Sequence, residues 1–308
     1  MKKSALFAAL FIAHICFAQT EAQTTVVIPK VPVAELPIEP TKTARVDSDE
    51  KYSDNNFGVS LFSLGGLDRS QITNGNGETP SMYFFENYLS FSYKIKKDFR
   101  LEARYSFNYS TAGTDKSGKD ATDKADTRDA SLLMGFSRVF EDYLPENVSY
   151  SFKPRLYLPT SEKSKAQGMI TSLRLENVFK IYTNKYSFFR FGIAPHYFFQ
   201  RSTAYVDDRG NVKTTDMFQL KTAGEYNWSL SKRFSIKPGF EFDDSWSNSS
   251  SANNGKEYRN TLIDYRLGLE VKFGRPLSFT VGYSHRKDLL KTDDFTDGFT
   301  LMTNATLY

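Results

Sequence analysis

The sequence is poor in the residues that build covalently linked or metal-held folds. Its 308 residues include one cysteine, three histidines and two tryptophans. One cysteine excludes a disulfide framework within the chain, and it excludes a zinc site built on several cysteines. Beyond the N-terminal segment, no run reaches the roughly 18 apolar residues of a transmembrane helix, so the sequence predicts no such helix.

An excess of charge of one sign is also lacking. The chain has 40 basic and 36 acidic residues, and the basic residues are dispersed rather than clustered. This gives no basic patch for nucleic acid, and we expect no nucleic-acid partner. What the sequence does contain is aromatic residues, with 27 Phe and 18 Tyr. Both residue types favour β-strands, and so high an aromatic content is not typical of a disordered chain.

The N-terminal residues have the pattern of a secretory signal peptide. Two lysines precede the apolar run Ala5–Phe17, and Ala18 offers a small residue for cleavage. We therefore predict a signal peptide over 1–18, whose removal takes away Cys16. Segment 19–55 contains four prolines and then a charged stretch, which predicts a disordered periplasmic linker. The third predicted region, 56–308, is the folded domain.

Alternation of apolar and polar residues dominates from Phe57 onward and predicts strands. In the clearest run, Phe99–Thr111, aromatic and aliphatic residues occupy one face, and charged and small polar residues occupy the other. Twelve strands are predicted, near 57–66, 82–95, 99–111, 129–140, 148–158, 169–183, 186–201, 214–230, 232–246, 258–273, 276–287 and 296–308.

Short and long connections alternate between these strands, as in an up-and-down barrel with short turns at one rim and long loops at the other. A soluble β-sandwich is the alternative interpretation. Three features favour a membrane barrel: strands longer than the usual five or six residues, charges confined almost entirely to one face, and aromatics near the ends of the apolar face.

On these features the chain resembles a bacterial outer-membrane β-barrel. The resemblance covers the export signal and residues 57–308, which end in the aromatic Tyr308. It implies an all-β fold, an antiparallel up-and-down transmembrane β-barrel of about 12 strands, in the outer membrane of a Gram-negative bacterium with both termini periplasmic. It further implies outer-membrane lipid, lipopolysaccharide and the barrel-insertion machinery as partners. The facing of the last strand stays open, because Phe299 and Leu301 have one parity and Met302 and Tyr308 have the other.

No catalytic constellation is recognisable. Ser284 adjoins His285, but neighbours on a strand point to opposite faces and cannot form a nucleophile–base pair. His196 shares parity with polar residues and is expected to face the barrel interior. Asp293, Asp294 and Asp297 lack the spacing of a calcium loop. We therefore predict no enzyme, no metal site and no cofactor.

Function is predicted from the polar face, which would line the interior. The hypothesis is a narrow, porin-like channel that passes small polar or anionic solutes, because the predicted interior has more basic than acidic side chains. A closed structural or adhesion barrel acting through its loops stays open as an alternative, and an outer-membrane lipid hydrolase is less well supported. The candidate lumen-lining residues are Arg100, Glu102, Arg104, Lys153, Arg155, Arg174, Glu176, Arg190, Lys221, Glu225, Lys237, Glu241, Asp264, Arg266 and Glu270.

Overall fold

The structure is a computed structural model. It describes residues 56–68, 84–110, 124–206, 210, 212–248, 258–273, 277–290 and 295–306. The predicted signal peptide (1–18) and linker (19–55) lie outside the described residues. Within the described ranges, the helical segments are too short and too polar to cross a bilayer.

Strands make up nearly all of the described chain, because the period-two pattern continues through each of them. One short helix, α1 (Glu162–Ala166), lies in the loop between β6 and β7. The strands are β1 (Phe57–Asp68), β2 (Phe84–Lys96), β3 (Phe99–Ser110), β4 (Lys124–Thr127), β5 (Ala130–Ser137), β6 (Val148–Leu158), β7 (Met169–Tyr182), β8 (Phe188–Gln200), β9 (Ala204–Val206), β10 (Val212–Thr214), β11 (Asp216–Ser229), β12 (Phe234–Ser247), β13 (Tyr258–Phe273), β14 (Leu277–Asp288) and β15 (Phe295–Thr306).

Antiparallel pairing closes these strands into a ring. Each strand of the ring pairs with its neighbours in sequence, and β1 pairs with β15 to complete it. Strands β4 and β5 both pair with β3 and act as one strand, interrupted at Arg128 and Asp129. The separate β9–β10 hairpin pairs only with itself. The ring is a closed 12-stranded antiparallel barrel, which confirms the predicted fold class and strand number.

Three connections contain structure that the sequence pattern did not indicate, and one of them, the turn between β5 and β6, holds a single 3-10 turn at Glu141–Tyr143. The predicted loop 202–213 holds the β9–β10 hairpin, and the loop after β6 holds α1. Asp129 anchors this second loop, since its Oδ1 accepts from the Ser161 backbone N–H at 3.0 Å and its Oδ2 accepts from the Ser164 hydroxyl. The fourth barrel strand also begins earlier than predicted, at Lys124 rather than near 129.

Polarity is inverted relative to a soluble protein. On β13, Tyr265, Leu267 and Leu269 are 54%, 53% and 56% exposed, whereas Asp264 and Glu270 on the opposite face are buried. Most large apolar side chains point out of the ring and most charged side chains point into it, an exception being the Asp244–Arg259 ion pair on the outer face near the long-loop rim. A water-soluble sandwich would show the reverse arrangement, because burial of apolar area drives its folding.

Aromatic side chains form two belts on the outer face. Near the short-turn rim, Phe99 stacks on Phe136 with ring centroids 4.9 Å apart. Near the long-loop rim, Phe218 lies between Tyr197 and Trp246, at 4.9 and 5.2 Å. Aromatic rings at two levels of an apolar band are typical of a barrel whose rims meet the lipid–water interfaces.

The pairing register also decides the facing of β15, which the sequence left open. Thr300 lies opposite Gly282 of β14 and Gly66 of β1, both on the inner face. Phe299 and Leu301 are 47% and 43% exposed and therefore belong to the outer face.

The charged interior of the barrel

A cavity of about 170 Å³ lies against one side of the barrel wall. Its lining comes from six strands, β2, β3, β5, β6, β7 and β8, which meet only on the concave face of the sheet. The lining residues are Tyr88, Arg100, Glu102, Arg104, Leu133, Gly135, Lys153, Arg155, Glu176 and Arg190.

Glu102 organises the part of this cavity that lies on β3. Its Oε1 is 2.5 Å from Arg104 Nε, and its Oε2 is 3.7 Å from Arg100 Nη2. The Arg104 guanidinium also lies over the Tyr88 ring, 4.3 Å from its centroid. A charge-assisted hydrogen bond and a cation–π contact together fix Arg104 in place.

Glu176 has the same role on β6 and β7. Its Oε1 lies 2.9 Å from Arg155 Nη2 and 3.4 Å from Arg174 Nε. Arg155 also donates a hydrogen bond to the Tyr157 hydroxyl at 3.1 Å. One carboxylate therefore holds two guanidinium groups and neutralises only half of their charge.

Lys153 and Arg190 are the cavity cations without an ion pair. In the part of the chain that the structure describes, no carboxylate oxygen lies within 4.0 Å of either side-chain nitrogen group. Both face the same cavity. Arg190 lies opposite Glu225 in the β8–β11 register, and Lys153 lies opposite Glu176, which is already engaged by Arg155.

We name the inner face of β3, β6, β7 and β8 the basic wall. Its charged groups are seven cations and two carboxylates, so cations outnumber carboxylates by five on this wall. The cations are Arg100, Arg104, Lys153, Arg155, Arg174, Lys180 and Arg190, and the carboxylates are Glu102 and Glu176.

The inner face of β11 to β14 differs, and we name it the paired wall. Each of its inward cations has a carboxylate within 4.0 Å. The contacts are Lys221–Glu241 at 3.3 Å, Lys221–Asp243 at 3.0 Å, Lys237–Glu270 at 3.0 Å, Lys272–Glu270 at 3.5 Å, Arg266–Glu241 at 3.2 Å, Arg266–Asp264 at 2.8 Å and Arg286–Asp264 at 3.2 Å. This wall is therefore close to neutral.

The structure places all fifteen predicted lumen residues on the inner parity of the sheet. Seven of them line the cavity, namely Arg100, Glu102, Arg104, Lys153, Arg155, Glu176 and Arg190. Seven others, Lys221, Glu225, Lys237, Glu241, Asp264, Arg266 and Glu270, belong to the paired wall. Arg174 adjoins the cavity through Glu176, and Glu225 lies across the register from Arg190.

Sequence reasoning missed three lining residues, Tyr88, Leu133 and Gly135. The signal for Tyr88 is its parity, because it alternates in step with Glu86 on the polar face of β2. No comparable signal marks Leu133, which is an apolar residue on a polar face. It is buried at 4% exposure between Glu102 and Arg155 in the register.

The two histidines of the described residues lie on opposite faces. His196 is buried inside, and its Nε2 is 2.9 Å from Ser172 Oγ. His285 lies on the outer face, and its Nδ1 is 2.6 Å from Asp297 Oδ1 of the adjacent strand. The sequence did not predict this second pair, because it depends on the register between β14 and β15. Ser284 faces inward, away from His285.

Comparisons with known proteins agree with this fold. No protein-family model matches the sequence, and no curated protein matches it either. Among solved structures, the chain is similar to an outer-membrane channel from Pseudomonas putida F1, with a TM-score of 0.55 and 9% identity, covering 84% of this chain and 98% of that one. It also matches the KdgM porin with a TM-score of 0.46 and 8% identity, covering 81% of this chain and 99% of that one. The match to the NanC porin has a TM-score of 0.45 and 9% identity, covering 80% of this chain and 100% of that one. At such identities the likeness to the Pseudomonas channel shows the fold, a closed antiparallel barrel of the outer-membrane type.

Proposed function

We propose that this protein is an integral outer-membrane channel of a Gram-negative bacterium that passes small polar or anionic solutes. The observation that carries the proposal is the cavity inside the ring, lined by charged side chains from six strands. A barrel that served only as a scaffold has no need for uncompensated charge in its interior. Burying such charge away from water is costly unless water or a solute also enters.

The membrane location is supported by the outer face. Large exposed apolar patches are rare on soluble monomers, whereas here they surround the ring between two aromatic belts. Ring closure leaves the barrel without a free sheet edge, which a lipid environment requires.

The charge of the interior side chains leads us to expect that the channel favours anions over cations. The paired wall contributes little field, whereas the basic wall is positive over its length. A low-dielectric wall focuses this field on the lumen and favours anions. Cross-strand ion pairs also occupy part of the interior, so the conductance should be small rather than that of a wide porin.

The test is planar-bilayer recording of the refolded barrel across a KCl gradient. We expect small single-channel conductance and a reversal potential of the sign for chloride preference, which weakens as salt screens the wall charges. Clear potassium selectivity would overturn the proposed selectivity. Absence of channel events from protein that is verifiably folded would favour the closed barrel that acts through its loops.

A further inference from the structure

The basic wall does more than set an average field, because part of its charge is concentrated at one place. Lys153, Arg100 and Arg190 all line this cavity. The Arg100 and Arg190 guanidinium groups face the Lys153 ammonium and repel it, whereas Glu176, opposite Lys153 in the register, attracts it from beyond 4.0 Å. Among the carboxylates of the described residues, only Glu102 lies within 4.0 Å of one of these three cations, at 3.7 Å from Arg100.

The remaining cations of the cavity are positioned rather than free. Glu102 holds Arg104, and Glu176 holds Arg155. Each of these two carboxylates is thus already paired with another cation, and Glu176 offsets the charge of Lys153 only in part. The cavity is left with a fixed cluster of like charges in a partly enclosed space, where Coulomb interactions are stronger than in bulk water.

Resting on the channel function proposed above, we propose that this cavity is a binding site for one small oxyanion with at least two negative charges. Phosphate, pyrophosphate, phosphate monoesters and small dicarboxylates share this chemistry. A single negative charge would leave most of the cluster uncompensated, whereas a compact polyanion can accept from Lys153, Arg190 and Arg100 together. The volume of about 170 Å³ suits such a ligand, since it equals roughly five or six water molecules at about 30 Å³ each.

The paired wall provides the matched comparison. Lys272 is also an inward cation on the barrel wall, but its Nζ lies 3.5 Å from Glu270 Oε2, and it does not line the cavity. Glu270 keeps Lys237 as a partner when Lys272 is neutralised. Lys272→Gln thus removes one positive charge from the lumen without touching the proposed site.

The experiment measures pyrophosphate binding to the refolded protein in neutral detergent by isothermal titration calorimetry, with acetate at equal ionic strength as the monovalent comparison. We expect one pyrophosphate per barrel, bound at least about tenfold more tightly than acetate. Arg190→Gln and Lys153→Gln should each weaken pyrophosphate binding by about tenfold, because each removes a charge-assisted hydrogen bond. Lys272→Gln should change it by less than about twofold. Folding of each variant is verified by its heat-dependent gel mobility.

The binding experiment can contradict the proposed anion site independently of whether the barrel is a channel. No pyrophosphate binding, or equal weakening in Arg190→Gln and Lys272→Gln, overturns the site even when the barrel conducts. Binding with the expected variant pattern supports the site, and it does so without depending on conductance. If Lys153→Gln fails to fold, the comparison of Arg190→Gln with Lys272→Gln is sufficient, because Arg190 is exposed and its substitution should not prevent folding.

Discussion

Arg266 and Leu267 are neighbours in sequence, but they lie on opposite sides of the barrel wall. Arg266 Nη2 lies 2.8 Å from Asp264 Oδ2 inside the ring, whereas Leu267 is 53% exposed on the outer face. Strand geometry requires this, because successive side chains point to opposite faces. The pair therefore gives a direct test of which face meets lipid.

Leu267→Arg should damage folding into lipid more than Arg266→Leu. An arginine on the lipid face near the membrane midplane costs about 2–4 kcal/mol. Arg266→Leu removes a positive charge from the lumen. The two carboxylates that pair with Arg266 each still have another cation, because Asp264 pairs with Arg286 and Glu241 pairs with Lys221. Folded yield in lipid vesicles and urea unfolding measure the difference. Equal yields, or a lower yield for Arg266→Leu, would show that the assignment of the two faces is wrong.

The closed ring predicts resistance to SDS. The β1–β15 pairing extends from Ser60↔Thr306 to Asp68↔Gly298, so the barrel has no free edge at its seam. We expect unboiled protein in SDS to migrate differently from boiled protein. A chain truncated before β15 should lose this difference, because β1 and β14 would become open edges. Identical migration of full-length protein with and without heating, together with solubility in the absence of detergent, would contradict a membrane barrel.

Substitution of glycine by alanine should have different effects on stability at Gly224 and at Gly66. A methyl group on Gly224 would lie 2.5 Å from Phe240 Cε1, whose ring covers this glycine from the next strand. A methyl group on Gly66 would meet no atom within 4 Å. Gly224→Ala should therefore lower the free energy of unfolding by about 1 kcal/mol or more, because the ring must move. Gly66→Ala is the control and should be neutral or slightly stabilising.

Denaturant unfolding of the refolded barrel measures both glycine variants. Similar destabilisation by the two substitutions would show that the Phe240 ring does not pack over Gly224. A neutral Gly224→Ala would show that the ring moves aside without cost.

Cysteine labelling should confirm the facing of the last strand. The single cysteine, Cys16, lies in the predicted signal peptide, so a chain expressed without residues 1–18 provides a cysteine-free background. Thr300→Cys should react with a charged, membrane-impermeant thiol reagent in lipid vesicles, because it faces the lumen opposite Gly282. Leu301→Cys should be protected in lipid and become reactive after denaturation. Rapid labelling of Leu301→Cys with protection of Thr300→Cys would reverse the assigned parity.

Much of the fold was predictable from local pattern. The strands around Phe99, Val148 and Phe234 begin at or within two residues of their predicted starts, because alternation and turn residues are local signals. The twelve-stranded ring followed from the alternation of short and long connections. The β9–β10 hairpin and α1 were not predicted, since each is short and lies among polar loop residues without a clear period.

The strands, their two faces and the excess of positive charge on the inner face could be predicted from the chain alone, because all three follow from residue type and parity. The distribution of that charge around the ring depends on the folded barrel. Ion pairing such as Arg155–Glu176 and Lys237–Glu270 depends on the register between strands, which residue spacing does not specify. The register neutralises the paired wall, whereas opposite Lys153 the carboxylate of Glu176 is engaged by Arg155 instead, so the excess positive charge is concentrated on one side of the lumen.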